Sequence, residues 1–420
     1  MNFLNQIIKA FLITISLIPM NLYAQQTNKS NPRTKIGYSI TGHIKGLLEG
    51  EKVTMVLFNS KGYHNFERYL TVQDSGYVKD GVFHLTGSVP DGPRRYWMKF
   101  DKHVLSGKTI DLTIDNNENV TILSNISIDS IPHAYLQNWI SIEGSPTNDS
   151  YRYLNLLQTL YFQNLSTLHN QIKNVADSVG FNGYITEGIL TAINEINKTL
   201  YYNILNVTDK QDSRLKDKLS LAVAFNESGH SSIWMDTYNG LTDKQRNSFN
   251  GKWLKEISIL TVGQILPEFS LPDPDGKLLN LKDIVKKGKL TIVHLWSANS
   301  DDRKIHQDEI RVMYKKYRDK GLNVIGLFHD DNYDLGISNK YTKINAHAQW
   351  KAILDSEGFP GYNVADLDVD NGIVEKVYRE GGRNHTTNII LDSRGRIVAW
   401  DVQGAELQYY LWKTFGEQTN

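Results

Sequence analysis

Leu290-Thr-Ile-Val-His-Leu-Trp296, followed at once by Ser297-Ala-Asn-Ser300-Asp-Asp-Arg303-Lys304, decides how the chain folds. The first seven residues are a continuous apolar run, the pattern of a strand covered on both faces. From Asp301 to Lys320, Ile310, Met313, Tyr314 and Tyr317 recur at helical spacing, and Gly321 ends the run. Leu322 to Phe328 is a second covered strand. Asn388 to Leu391 and Ile397 to Trp400, joined through Ser393-Arg394-Gly395, read as an antiparallel hairpin. Upstream, Phe269-Ser-Leu-Pro-Asp-Pro-Asp-Gly-Lys277 is a shorter hairpin turning at Asp275-Gly276. Strand, helix and strand followed by a hairpin predict an α/β sandwich with a mixed sheet over residues 262–416.

Working outward, residues 148–258 are expected to be a helical connector. Leu154, Leu157, Tyr161, Leu165 and Leu168 recur at three and four, as do Ile189, Ile193, Ile196, Leu200 and Ile204, with Gly180 and Gly183 between the two sets. Residues 35–130 are expected to form an all-β sandwich. Short runs recur there at Tyr38–Ile44, Lys52–Leu57, Val82–Thr86, Tyr96–Phe100, Thr109–Ile114 and Asn119–Leu123. In the fifth of these Ile110, Leu112 and Ile114 alternate with Thr109, Asp111 and Thr113, the period of a half-buried strand. Residues 1–24 read as an export signal: Lys9, an apolar stretch from Ala10 to Ile18, Pro19, and a cleavage site at Leu22-Tyr23-Ala24. That stretch is shorter than the about 20 residues a membrane span needs. The expected location is the periplasm, with no membrane span after cleavage.

The 420 residues carry 46 basic and 46 acidic side chains, which argues against nucleic acid as a partner. A 40% hydrophobic, 10% aromatic composition excludes a disordered chain. There is no cysteine. Disulfides, thiolate nucleophiles, Cys-ligated metals and an acylated lipoprotein anchor are therefore excluded.

Residues 262–416 resemble the thioredoxin-like redoxins, and specifically the exported TlpA-type thiol–disulfide oxidoreductases. Val262-Gly263 with Pro267 and Phe269 resembles the family's opening motif. Asp275-Gly276-Lys277 resembles its hairpin, Leu295-Trp296-Ser297-Ala298 the end of its central strand, and Asn388-Ile-Ile-Leu-Asp392 with Gly395 its closing strand. One branch of that family carries an N-terminal β domain of unknown function and a helical segment, with a Gly-Ser at their junction like Gly144-Ser145. The resemblance implies a redox centre at the turn after the central strand, and here the chain departs from it. Ser300 stands where the attacking cysteine is expected, Arg303 where the resolving one is, and Thr386 where the family has a cis-proline. A hydroxyl cannot form the mixed disulfide, and Asp301 and Asp302 put negative charge where a thiolate would need stabilising.

Each candidate has a structural reading beside a functional one. Ser300 reads as the helix N-cap, worth about 1 kcal/mol over alanine. Its competing reading is a hydrolytic nucleophile with His385 as base. Arg303 reads as a salt-bridged helix residue or as an anion contact. Asn299, Asp301, Asp302 and His385 line the same cleft as binding candidates. Asp366-Leu-Asp368-Val-Asp370-Asn-Gly372 begins like a calcium loop, but Asn371 and Val377 stand where glycine and glutamate are required. An acidic turn is the plainer reading. His329-Asp330-Asp331 is a second cation candidate, read the same way. No His-x-x-x-His spacing occurs, so no metal site and no cofactor are expected. The tryptophans at 97, 296, 350 and 400 read as core. These readings together imply a cysteine-less, non-catalytic member of the family. It is expected to be a binding or scaffolding module whose partner is an envelope protein, a peptide or a glycan. The alternative is non-thiol, hydrolase-like chemistry in the former redox cleft.

Overall fold

The computed structural model describes residues 37–57, 72–89, 92–106, 108–132, 136–196, 233–298, 300, 302–329, 340–368, 372–374, 378 and 386–416. The side chains at 104–106, 137, 153–162, 164–165, 233–234, 249–250, 253, 257 and 340–345 are not described. The export signal, Leu200, Ile204, and the side chains of Leu154, Leu157, Tyr161 and Leu165 lie outside these residues.

The amino-terminal region is two four-stranded sheets packed face to face. The strands are β1 (Tyr38–Ile44), β2 (Lys52–Leu57), β3 (Val72–Tyr77), β4 (Phe83–Gly87), β5 (Arg94–Phe100), β6 (Thr109–Ile114), β7 (Asn119–Ser124) and β8 (Ser141–Glu143). One sheet runs β4-β1-β7-β8 and the other β3-β2-β5-β6. All pairs are antiparallel except β1 with β7. Alternate residues of every strand but β3, among them Ile40, Met55, Tyr96, Met98, Leu112 and Ile122, fill one core. β8 carries the sandwich past residue 130, to Glu143. β3 (Val-Gln-Asp-Ser-Gly-Tyr) has no apolar alternation because it is an edge strand without a buried residue.

β6 departs from the half-buried pattern, since Asp111 and Thr113 are buried along with Ile110, Leu112 and Ile114. The cause is helix α1 (Pro146–Val179), whose first turns cover the outer face of β6. Asp111 accepts three hydrogen bonds from Arg95, two from Nε at 2.8 and 3.0 Å and one from Nη2 at 2.5 Å. The Arg95 guanidinium lies 5.2 Å from the centre of the Tyr151 ring. Asn148 Oδ1 accepts the Thr113 N–H at 3.1 Å. At the head of α1, Ser145 is the N-cap: its Oγ accepts the Asn148 N–H at 3.2 Å and donates to Glu118 Oε2 at 2.8 Å. The buried Glu118 also accepts the Thr147 N–H at 3.0 Å, setting a carboxylate against the helix N-terminus. Gly144 is required here. Its φ is +77°, and a Cβ would lie 2.0 Å from the Asn119 carbonyl oxygen.

α1 is followed by α2 (residues 183–196), α3 (Ile233–Asn239), α4 (Asp243–Asn247) and α5 (Phe249–Ser258). Leu168 and Ile172 of α1 pack with Ile189 and Ile193 of α2, and Ala405 from the carboxy-terminal region closes that cluster.

The carboxy-terminal region opens with the hairpin β9 (Ser270–Pro272) and β10 (Leu278–Asn280), then α6 (Leu281–Val285). β11 (Leu290–Trp296), α7 (Arg303–Tyr317), β12 (Leu322–His329), α8 (Lys340–Glu357), β13 (Tyr362–Asp366), β14 (Thr387–Asp392), β15 (Ile397–Trp400) and α9 (Gly404–Phe415) follow. The five-stranded sheet has the order β13-β12-β11-β14-β15. β11, β12 and β13 are parallel, while β14 and β15 run antiparallel. Every residue of β11 is buried because both faces are covered. Val293 and Leu295 meet Leu266, Phe269 and Ile389 on one side; Leu290 and Ile292 meet Ile310, Met313, Leu407 and Leu411 on the other. Trp97, Trp296, Trp350 and Trp400 are all buried. This is the thioredoxin-like arrangement, with α7 entering directly from the central strand. Among the described residues no helix is long and apolar enough to cross a membrane.

Candidate functional site

Strand β11 ends at the fully buried Trp296, and the chain turns through Ser300 and Asp302 into α7. The start of β14 faces this turn, and Thr386, the residue before it, lies against Ser300. Ser300 and Thr386 are 7% and 2% exposed. Two residues 86 apart in sequence thus meet at one site, as the family resemblance requires.

Ser300 is not the N-cap. Asp302 holds that position, through its backbone and without a side-chain cap bond. The Ser300 Oγ–H donates to Asp302 Oδ1 at 2.5 Å, and the Thr386 hydroxyl, 3.0 Å away, then donates to Ser300 Oγ. The Thr386 N–H donates to the same Asp302 oxygen at 3.3 Å. A charge-assisted bond to a carboxylate is roughly twice as strong as a neutral one, so Asp302 outcompetes the backbone amides of the helix start. Asp302 Oδ2 stands 3.4 Å from His306 Nε2, one turn along α7. Burial pushes the Asp302 carboxyl upward, but the bonds from Ser300 and Thr386 and the adjacent His306 hold it below the usual carboxylate range.

Beneath this network His294 is fully buried and stacks on Phe359 with ring centres 5.1 Å apart. Burial pushes its pKa down to about 3, so the ring is neutral. Its Nδ1–H donates to Asn388 Oδ1 at 2.8 Å, because the Asn388 amide donates to the Val402 carbonyl at 3.0 Å. His294 lies inside the apolar run that marks β11 and is not singled out by it. His306 is legible only as an i, i+4 partner of Asp302.

Arg303 is held by Glu357 at the end of α8. Nη1 donates to Oε2 at 2.7 Å and Nη2 to Oε1 at 3.2 Å, with a further bond from Nη1 to Gln307 at 3.2 Å. The guanidinium lies 5.7 Å from the centre of the Trp296 ring. The hydrogen bond from Arg303 lowers the Glu357 carboxyl below its usual range. Arg311 donates to the Gly358 carbonyl at 2.6 Å, so two arginines of α7 grip the C-terminus of α8. Arg303 therefore joins two helices. Nothing in its own neighbourhood in sequence identifies a partner 54 residues away.

The chemistry open to this groove is narrow. Ser300 is nearly buried, and its proton is given to a carboxylate whose low pKa makes it a weak base. The carboxylate stands between the hydroxyl and the imidazole, which is not the order that activates a serine nucleophile. Asn299, Asp301 and His385 lie outside the described residues, as does the peptide bond before Thr386, which begins at His385. Asp366, at the end of β13, is buried and accepts the Val374 N–H at 2.9 Å and the Asp368 N–H at 3.3 Å. A Cβ on Gly372 would meet that carboxylate at 2.3 Å. The acidic stretch is thus a capped turn, with Asp370 and Asn371 outside the described residues. Asp330 and Asp331 are outside them too. Among the described residues no three His, Asp or Glu side chains are arranged to hold a metal.

Two family models match the chain, and several known proteins are similar to part of it. Residues 38–151 match the model of a domain of unknown function, DUF4369, and residues 262–398 match that of the AhpC/TSA family. The thiol-disulfide oxidoreductase ResA of Bacillus thuringiensis is 29% identical over 91 residues, covering 22% of this chain and 50% of ResA. ResA of Bacillus cereus is 24% identical over 127 residues, covering 29% and 72%. The chain thus spans about half the length of the first of these relatives. Among solved structures, the thioredoxin domain of a Bacteroides vulgatus thiol-disulfide oxidoreductase is 23% identical with a TM-score of 0.29, covering 37% of this chain and 99% of that one. A thiol-disulfide oxidoreductase from Bacteroides fragilis is 20% identical with a TM-score of 0.29, covering 36% and 98%. The strand order, the helix that follows the central strand and the family match lead to one assignment: residues 262–398 form a thioredoxin-like redoxin domain of the AhpC/TSA family, without a cysteine, behind an N-terminal DUF4369 domain.

Proposed function

We propose that this chain is an exported, thiol-free redoxin-domain protein that works in the periplasm by non-covalent binding or scaffolding. The observation that carries this reading is the commitment of the redox positions to internal structure. The Ser300 hydroxyl is taken by Asp302 and Thr386, and the Arg303 guanidinium by Glu357. Among the described residues, the start of α7 presents to solvent the Asp302 carboxylate, 39% exposed, the Ile305 side chain, 74% exposed, and the exposed Lys304. A carboxylate beside an apolar side chain on the first turn of a helix suits recognition of an envelope protein or peptide, with a glycan as the other partner class. The middle position of the carboxylate in Ser300–Asp302–His306 disfavours hydrolase-like chemistry.

Insulin-disulfide reduction and peroxide consumption by the full chain should both stay at background. A photo-crosslinker placed at Ile305 should label a defined envelope partner, and D302K should abolish the labelling. Turnover in either assay, or labelling indifferent to D302K, would refute the reading.

A further inference from the structure

Helices α1 and α2 meet the redoxin domain along α9, and the contact contains a titratable pair. His169 of α1 directs Nδ1 at Glu406 Oε1 in the first turn of α9. Around it lies the apolar cluster of Leu168, Ile172, Ile189, Ile193 and Ala405. Farther along, Glu187 of α2 accepts from the Tyr409 hydroxyl and from Lys413 Nζ, both at 3.1 Å. The Phe181 and Tyr184 rings stand edge-on to Trp412, at 6.5 and 5.1 Å between centres.

We infer that His169 and Glu406 form a proton-operated clasp that sets how firmly α1 and α2 sit on the redoxin domain. Protonated, the imidazole is a cation held against a carboxylate across the interface. Neutral, it keeps a hydrogen bond but loses the charge attraction. The two ends of the contact therefore respond differently to pH, because Lys413 and Glu187 stay charged throughout the neutral range. The hydrogen bond to Glu406, and the charges of Glu406 and Asp401, hold the His169 pKa above its usual value against the opposing effect of burial. A raised pKa means that the added stability is fully present below the unfolded value near 6.5 and is lost as the pH rises through the folded value.

Asp401, in the turn before α9, faces His169, and Tyr410 faces Glu406 on α9 itself. Lys413, farther along α9, is held by Glu187 of α2. Glu309 approaches from α7 and accepts the Gly404 N–H at 3.1 Å. Burial raises the pKa of Glu309, so it also takes up a proton on acidification and must be separated from His169.

Hydrogen exchange on the full chain, corrected for intrinsic rates, reads the clasp directly. Amides of α2 should be about two- to fivefold more protected near pH 6 than near pH 8, the range expected of one part-exposed ion pair. H169Q and E406Q should each remove that difference, E309Q should keep it, and the amides of β11 and β12 should not take part. A difference that persists in both H169Q and E406Q, that vanishes in E309Q, or that is absent from the unmodified chain would overturn the inference.

Discussion

Placing sulfur at position 300 should not create a reactive thiol, and S300C is the test. The Ser300 oxygen lies 2.5 Å from Asp302 Oδ1, so the charge centres of a thiolate there and of the carboxylate would stand about 4 Å apart. At that distance two like charges repel by about 4 kcal/mol for an effective dielectric constant of 20. Asp302 is 39% exposed, so solvent screening reduces this to about 1–2 kcal/mol. The helix N-terminus acts in the opposite direction by only about 0.3–1 kcal/mol, and burial adds to the repulsion. The carboxylate therefore wins, and the thiol should titrate about one unit above the ordinary value near 8.5. Iodoacetamide alkylation of S300C near pH 7.5 should run about tenfold slower than that of a free thiol, and S300C/D302N should recover most of that factor. Thermal melts of both variants would establish that each is folded. A thiol titrating at or below 8.5, together with no effect of D302N, would refute the reasoning.

Three further outcomes follow from the same geometry. A double-mutant cycle on Arg303 and Glu357 should give a coupling of about 1 kcal/mol in urea unfolding, since the pair is bidentate and only part-exposed. G144A should destabilise the N-terminal domain by at least about 2 kcal/mol, because it places a Cβ at positive φ against the Asn119 carbonyl. Asp302 and Glu357 have folded pKa values below their unfolded ones, so their stabilisation is present above about pH 4 and is lost as the pH falls through the folded values. Unfolding measured between about pH 5 and pH 2 should accordingly be less acid-sensitive in D302N than in the unmodified chain.

Legibility followed the physics of each element. β1, β2 and β6 are read to the residue because alternating side chains meet one core, and β11 because both of its faces are covered. β3 and β8 escape notice because an edge strand and a three-residue strand need no strong apolar pattern. The burial of Asp111 and Thr113 is invisible locally, since it depends on α1 crossing β6 after a turn of the chain. At the candidate site, the positions of Ser300, Arg303 and Thr386 follow from the resemblance, but their partners do not. Asp302 takes Ser300 away from the capping role that its residue type favours. Glu357 reaches Arg303 from another helix, and His294 is hidden in a run read as apolar.

What the sequence by itself determined is the absence of sulfur chemistry and the order of strands and helices, because both depend on residue type and short-range periodicity. Whether Ser300 and Arg303 stand open or are tied into the fold was decided only by the tertiary structure. Hydrogen bonds between Ser300 and Thr386, or between Arg303 and Glu357, join residues that nothing but the packing of α7 against β14 and α8 brings together.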